Sequence, residues 1–325
     1  MSVKKIYEEM KTKLGNVVPD LELKYKAELV AKINQLKKEK NAVILGHNYM
    51  APEIYHFVAD LGGDSLELAR KAAETDKDII LFCGVKFMAE TAKILSPDKK
   101  VLIPSLEAGC SLAESITGED IRKLKKQYPG VPVVTYVNTY ADAKVETDIC
   151  CTSSNAVKVV NSLDADTVIF LPDEYLAGNV ARETNKKIIS WTGRCEVHEK
   201  YSVQDIDDIR RQFPDVVVLA HPECRSDVVK AADFAGSTAA MIKYVEKHDA
   251  PCYLILTECM MGDNIAAANP QKNILRLCSV RCPHMNKITL ENTLEALQKE
   301  QYEVNLSKEI CEKAAQAVKK MIEIG

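Results

Sequence analysis

The chain has 325 residues, 46% hydrophobic and 28% charged, with a formal net charge of −4; that is enough for two or three cores and carries no basic excess to attract nucleic acid. No apolar stretch approaches the roughly 20 residues that cross a bilayer, and the charged start from Met1 to Lys13 is unlike a signal peptide, so a cytoplasmic protein with no membrane partner is expected. Eleven cysteines, an odd number, make a poor disulfide framework where thiols are kept reduced, which leaves metal binding, catalysis or burial to account for them.

Residues 1 to about 27 read as a leader, and three passes of one pattern follow. Each pass opens with a basic helix, expected at 28–40, 119–128 and 204–213, feeding an apolar strand at 43–47, 133–137 and 216–220. Polar residues close each strand, and hydroxyls at Ser65, Ser153 and Ser237-Thr238 open the next helix. A second apolar strand comes at 79–82, 168–171 and 253–256, then a helix and a third strand running to Cys110, Cys195 or Cys282. Those cysteines are spaced by 85 and 87 residues. The expected units are 1–112, 113–198 and 199–325, the last including helices at 290–299 and 308–324. Strands without polar alternation are buried on both faces, the mark of parallel sheets covered by helices. The fold class is therefore α/β: three pseudo-symmetric three-layer αβα units with small parallel sheets around a central site.

In open parallel sheets ligands gather beyond the carboxyl ends of the strands. There lie His47-Asn48-Tyr49, Tyr136-Val137-Asn138 and His221-Pro222-Glu223-Cys224. The His221 and Glu223 pair reads as acid/base machinery, with Tyr49, Tyr136 and His198 as further proton-transfer candidates. Asn48 and Asn138 suit a carbonyl or carboxylate. Helix starts that converge from three units suit a ligand carrying several negative charges. Three equivalent cysteines in loops rich in Gly, Ser or Pro read as ligands of one centre. An iron–sulfur cluster held by three thiolates keeps one iron open to substrate as a Lewis acid. A zinc ion with three cysteines and a water is the inorganic alternative; a hydro-lyase acting on one hydroxy acid, or a redox sensor, would use such a cluster differently.

The stretches Gly46-His-Asn-Tyr49, Gly63-Asp-Ser-Leu66, Phe87-Met-Ala-Glu90, Ala108-Gly-Cys110, Cys151-Thr-Ser153, His221-Pro-Glu-Cys224 and Gly236-Ser-Thr238 closely resemble the quinolinate synthase family of NAD biosynthesis, from about residue 28 to 305. The resemblance implies condensation of iminosuccinate with dihydroxyacetone phosphate to quinolinate, phosphate and two waters. It also implies a [4Fe–4S] cluster on Cys110, Cys195 and Cys282. Substrate contacts carried over by motif are His47, Ser65, Tyr136, Asn138, Ser153, His221, Glu223 and Thr238, with Tyr49, His198 and Ser237 close by. Glu223 is expected as general base, with Tyr49, Tyr136 and His198 as its catalytic companions. A transient contact with the enzyme that supplies iminosuccinate is a further expectation. Some members carry a C-x-x-C redox pair near the third ligand; the nearest spacing here is Cys278 to Cys282.

Overall fold

The apolar strands become the centres of three four-stranded, all-parallel sheets in the computed structural model, which describes residues 1–325. In the first sheet β1 (Ala42–His47) lies between β2 (Leu61–Gly63) and β3 (Ile79–Cys83), with β4 (Lys100–Leu102) outside β3. The second sheet comprises β5 (Val133–Tyr136), β6 (Ile149–Cys151), β7 (Thr167–Leu171) and β8 (Lys187–Ser190). The third comprises β9 (Val216–Ala220), β10 (Phe234–Ala235), β11 (Cys252–Leu256) and β12 (Ile274–Arg276). Both repeat the order second, first, third, fourth. Every residue of β1, β3, β5 and β11 is buried, which is why these strands show no polar alternation.

Sequence reading runs each first strand directly into the hydroxyl-led helix. Instead a short edge strand intervenes, β2, β6 or β10, of three residues or fewer. Segments that short carry no periodicity to read. The helix starts also differ in two units. Asp64, not Ser65, caps the helix Ser65–Glu74, its side chain accepting from the N–H groups of Leu66 and Glu67. In the second unit the helix Ala156–Ser162 begins beyond Ser153, and Asn155 Oδ1 accepts from Thr152 N–H. Ser65 and Ser153 are thus spared capping duty. Only Ser237 behaves as an ordinary cap, accepting from Ala240 N–H.

Seven residues past each of Cys110, Cys195 and Cys282 stands a reciprocal capping box: Thr117 with Asp120, Ser202 with Asp205, and Thr289 with Asn292. Each box starts a new helix on both sidechain and backbone bonds, so each cysteine loop is anchored at its downstream end. The leader is a helical hairpin, Val3–Leu14 against Asp20–Glu39, and the second helix starts earlier than expected because Pro19, Asp20 and Glu22 form its N-terminus. Although the final helices follow the third sheet in sequence, Leu290–Lys299 packs on Asp20–Glu39, and Lys308–Ile324 packs on Lys86–Leu95, Ala141–Val145 and β6. The last helix buries Ala314, Ala317, Val318 and Met321 across the first two units.

Nine cysteines are free, but Cys259 and Cys278 are joined by a disulfide. That corrects the expectation of no disulfide: Cys278 turns toward the start of the helix Cys259–Ala268 and leaves Cys282 free. No helix is long and apolar enough to cross a membrane.

Candidate active site

The carboxyl ends of β1, β5 and β9 converge on one cavity. Lining it are His47, Tyr49, Ser65, Cys110, Tyr136, Asn138, Ser153, Cys195, His198, His221, Glu223, Thr238 and Cys282. Ser237 does not line it; its hydroxyl caps its helix and the residue borders a neighbouring groove between the second and third units.

Two histidines are held in the same way. His47 Nδ1 accepts from the N–H of Tyr49 at 3.2 Å, and His221 Nδ1 accepts from the N–H of Glu223 at 3.3 Å. Each bond runs from residue i+2 back to the ring, as repeat-equivalent turns allow. With Nδ1 an acceptor, the proton of each neutral ring sits on Nε2, and that of His221 lies 3.2 Å from Ser153 Oγ. Burial pushes His47 down to about 4 and His221 to about 3, so both are neutral donors at physiological pH.

Glu223 is 3% exposed and joins the second and third units. Tyr136 OH donates to its Oε1, and His198 Nδ1 lies 2.9 Å from its Oε2. Burial pushes its carboxyl up, but His198, His221 and the hydrogen bond from Tyr136 outweigh burial and hold it below the ordinary carboxylate range. Both tyrosines are pushed well above the usual phenol range, by burial first and by the Glu223 charge second. His198 stacks on His221 with ring centroids 4.6 Å apart. Thr238 Oγ1 accepts from Asn48 Nδ2 at 2.8 Å, and Asn264 Nδ2 in turn donates to the carbonyls of Asn48 and Met50. Asn138 Oδ1 is buried in the cavity wall without a partner, an acceptor left for a ligand.

All three cysteines are unbridged and half-buried. Each thiol receives two backbone N–H groups from residues i+2 and i+3: Leu112 and Ala113 for Cys110, Val197 and His198 for Cys195, His284 and Met285 for Cys282. Burial raises the three thiols, Cys110 to about 12 and Cys282 to about 11, while these N–H groups favour the thiolate. Such a donor set suits thiolates that bind metal and accept hydrogen bonds on sulfur. At Gly193 a Cβ would come within 2.6 Å of the Pro172 carbonyl, so only glycine lets the Cys195 loop pack here. The loops are tied to one another: Ser111 Oγ donates to Arg194 O at 3.3 Å, His284 Nε2 lies 2.9 Å from Glu196, and Lys287 pairs with Glu107 at 2.9 Å. Cys195, His198 and Glu223 also offer ligand atoms within 4.8 Å of one another.

Sequence reasoning missed Thr257, Asp64 and Ser154. Ser154 Oγ donates to Asp64 Oδ2 at 2.6 Å, joining the first two units at the cavity rim. Thr257 directly follows β11, and the rule that ligands gather at strand ends could have found it had it been applied to the second strand of each unit.

Three parallel-sheet units that pool one cysteine and one set of proton-handling groups each define a multi-unit α/β enzyme with a shared three-thiol centre. Residues 31–323 match the family model described as Quinolinate synthetase A protein. The quinolinate synthase of Caulobacter vibrioides (strain NA1000 / CB15N) is 54% identical over 316 residues, 96% of this chain and 86% of that one. Quinolinate synthase 1 of Mesorhizobium japonicum is 54% identical over 310 residues, 95% of each chain. That of Xylella fastidiosa is 56% identical over 292 residues, 90% of this chain and 86% of its own. The chain belongs to the quinolinate synthase family and is an enzyme of that family.

Proposed function

We propose that this cavity condenses iminosuccinate with dihydroxyacetone phosphate to give quinolinate, phosphate and two waters, beside a [4Fe–4S] cluster held by Cys110, Cys195 and Cys282. The observation that carries the reading is the wall of three thiols, one per unit and each with two backbone N–H donors, facing a buried glutamate flanked by two tyrosines. Family membership supports the cluster as well as the reaction. When bound, the cluster supplies an iron with one open position, a Lewis acid for a substrate hydroxyl or carboxylate.

Both substrates are anions. His47 and His221 hold them through Nε2–H, with Ser65, Ser153, Thr238 and the Asn138 side chain completing the set and Ser237 beside it. The helices that begin at Ser65 and Thr238 add favourable dipoles. Glu223, ionised and within reach of Tyr136 OH, is the general base that removes a proton from a substrate carbon. His198 orients its carboxylate. The enamine carbon then attacks as phosphate departs, Tyr49 and Tyr136 move protons during the carbonyl shift, and ring closure with loss of water gives the aromatic product. We divide the chain at residues 112 and 198 and place it in the cytoplasm, which the nine free thiols support. Unstable iminosuccinate calls for a supplying enzyme that docks transiently.

Single Cys110→Ala, Cys195→Ala and Cys282→Ala variants, purified without oxygen, should each lose the brown absorbance and the activity. Full absorbance and activity in any one of them removes that residue from the ligand set.

A further inference from the structure

The turn after the first strand of each unit is gripped from behind in the same way. Asn264 Nδ2 donates to the carbonyls of Asn48 and Met50 at 3.0 and 2.8 Å, and Asn179 Nδ2 donates to those of Pro222 and Cys224 at 2.8 and 3.0 Å. In the second unit Lys144 Nζ donates to the carbonyl of Val137 at 2.9 Å and to that of Thr139. Each nitrogen thus spans two carbonyls that stand two residues apart. The residue between them is Tyr49, Glu223 or Asn138, a side chain of the cavity wall. All three gripping residues are buried, and none of them lines the cavity.

Two of these residues follow the repeat. Asn179 is the sixth residue of the helix Glu174–Ala181 and Asn264 the sixth of Cys259–Ala268, helices that follow β7 and β11. The second unit thereby grips the turn of the third, and the third grips that of the first. The matching helix of the first unit, Lys86–Leu95, has Thr91 at its sixth position, whose hydroxyl donates to the Phe87 carbonyl of its own helix. That helix reaches the second unit from its fifth position instead: Glu90 Oε2 accepts from Ala141 N–H at 2.8 Å, at the start of the short helix Ala141–Val145 that bears Lys144. Carbonyls only accept, so both asparagines must turn Nδ2 toward them. On its other side Asn179 Oδ1 accepts from Ser226 Oγ at 2.9 Å.

We propose that Asn179, Asn264 and Lys144 are positioning residues, one for each turn: Asn179 aims the Glu223 carboxylate, Asn264 the Tyr49 hydroxyl and Lys144 the Asn138 amide. No Lys or Arg lines the cavity, so anions are recognised there by neutral polar groups, whose effect depends on where they point. A buried carbonyl that loses its donor is costly. Without the gripping nitrogen two carbonyls at once must find new partners, and the side chain between them moves with the turn. The part that concerns Asn179 rests on Glu223 being the base.

The test compares the anaerobic holoenzyme with Asn179→Leu, Asn264→Leu and Lys144→Met, each close in volume to the parent residue and without a donor. All three should keep the cluster absorbance. Asn179→Leu and Asn264→Leu should lower kcat by about 10-fold or more with little change in KM, because the groups they aim move protons. Lys144→Met should instead raise KM by about 10-fold and leave kcat within a few-fold of the parent, because Asn138 contacts substrate. Parent kcat in either leucine variant, or parent KM in Lys144→Met, overturns the clasp at that turn. Equal changes of kcat and KM in all three overturn positioning altogether, since a general loosening does not sort by the residue gripped. Where a leucine variant fails to fold, Asn179→Asp and Asn264→Asp keep the volume and remove the donor, and parent kcat in either overturns its clasp. An active Glu223→Gln enzyme would remove the base itself, whereas an inactive one beside a fully active Asn179→Leu removes the clasp alone.

Discussion

Glu223 is the residue on which the chemistry turns, and its surroundings say what its removal should do. A glutamine of the same shape keeps a partner for Tyr136 but cannot take a proton. Glu223→Gln should therefore keep the cluster absorbance and lose about 100-fold or more in kcat; turnover near that of the parent moves the base elsewhere. The histidines make a pH prediction. His47 is held at about 4 in the fold against about 6.5 unfolded, so the unfolded chain binds the extra proton and stability falls as pH drops below about 6.5. By about pH 5 that one group costs roughly 2 kcal/mol. His47→Gln should flatten the fall in Tm between pH 7 and 5, and a slope equal to that of the parent contradicts the buried neutral ring. His47, Tyr136, His221 and Glu223 could be read from sequence because each sits in a polar cluster just after a long apolar strand. Thr257 is marked only by its place just after β11, and its partners Tyr49 and His198 lie 208 and 59 residues away.

Helices and strands carry these side chains, and the capping of Ser65–Glu74 is the detail that spares Ser65. Asp64→Ala removes the acceptor for two backbone N–H groups and for Ser154, so it should cost about 1 to 2 kcal/mol of stability and raise KM. An unchanged Tm and KM contradict both roles. Long apolar strands and the basic helices of the second and third units fell within a few residues of their expected places, because burial on both faces and capping boxes are strong local signals, whereas the first basic helix, which has no capping box, begins at Asp20 rather than Glu28. Edge strands β2, β6 and β10 did not, being held by pairing to β1, β5 and β9 rather than by any pattern of their own. The same limit applies to caps: Asp64 and Ser65 are both competent, and only the path of the chain chooses between them.

Three sheets of one topology surround one site, and no sheet holds a complete set of its groups. The first supplies His47 and Tyr49, the second Tyr136 and Asn138, and the third His221, Glu223 and Thr238. Closure falls to elements outside the repeat. The last helix lies across the first two units, with Arg70 and Asn155 each donating to a carbonyl near its end, those of Ile322 and Met321. Met321 is fully buried there, and Met321→Ala should cost about 3 kcal/mol by thermal unfolding; no loss would mean that this helix is dispensable to the join. Sequence repetition pointed to the shared cavity and to its cysteines, whereas the docking of the tail on distant units left no local trace. The most direct test is to purify the parent protein without oxygen, determine its iron and acid-labile sulfide, and follow quinolinate when dihydroxyacetone phosphate and freshly generated iminosuccinate are supplied. A brown protein with about four irons and four sulfides per chain that forms quinolinate and phosphate in equal amounts is the result expected; a protein that stays colourless after iron and sulfide reconstitution, or a brown one that forms no quinolinate, contradicts the account.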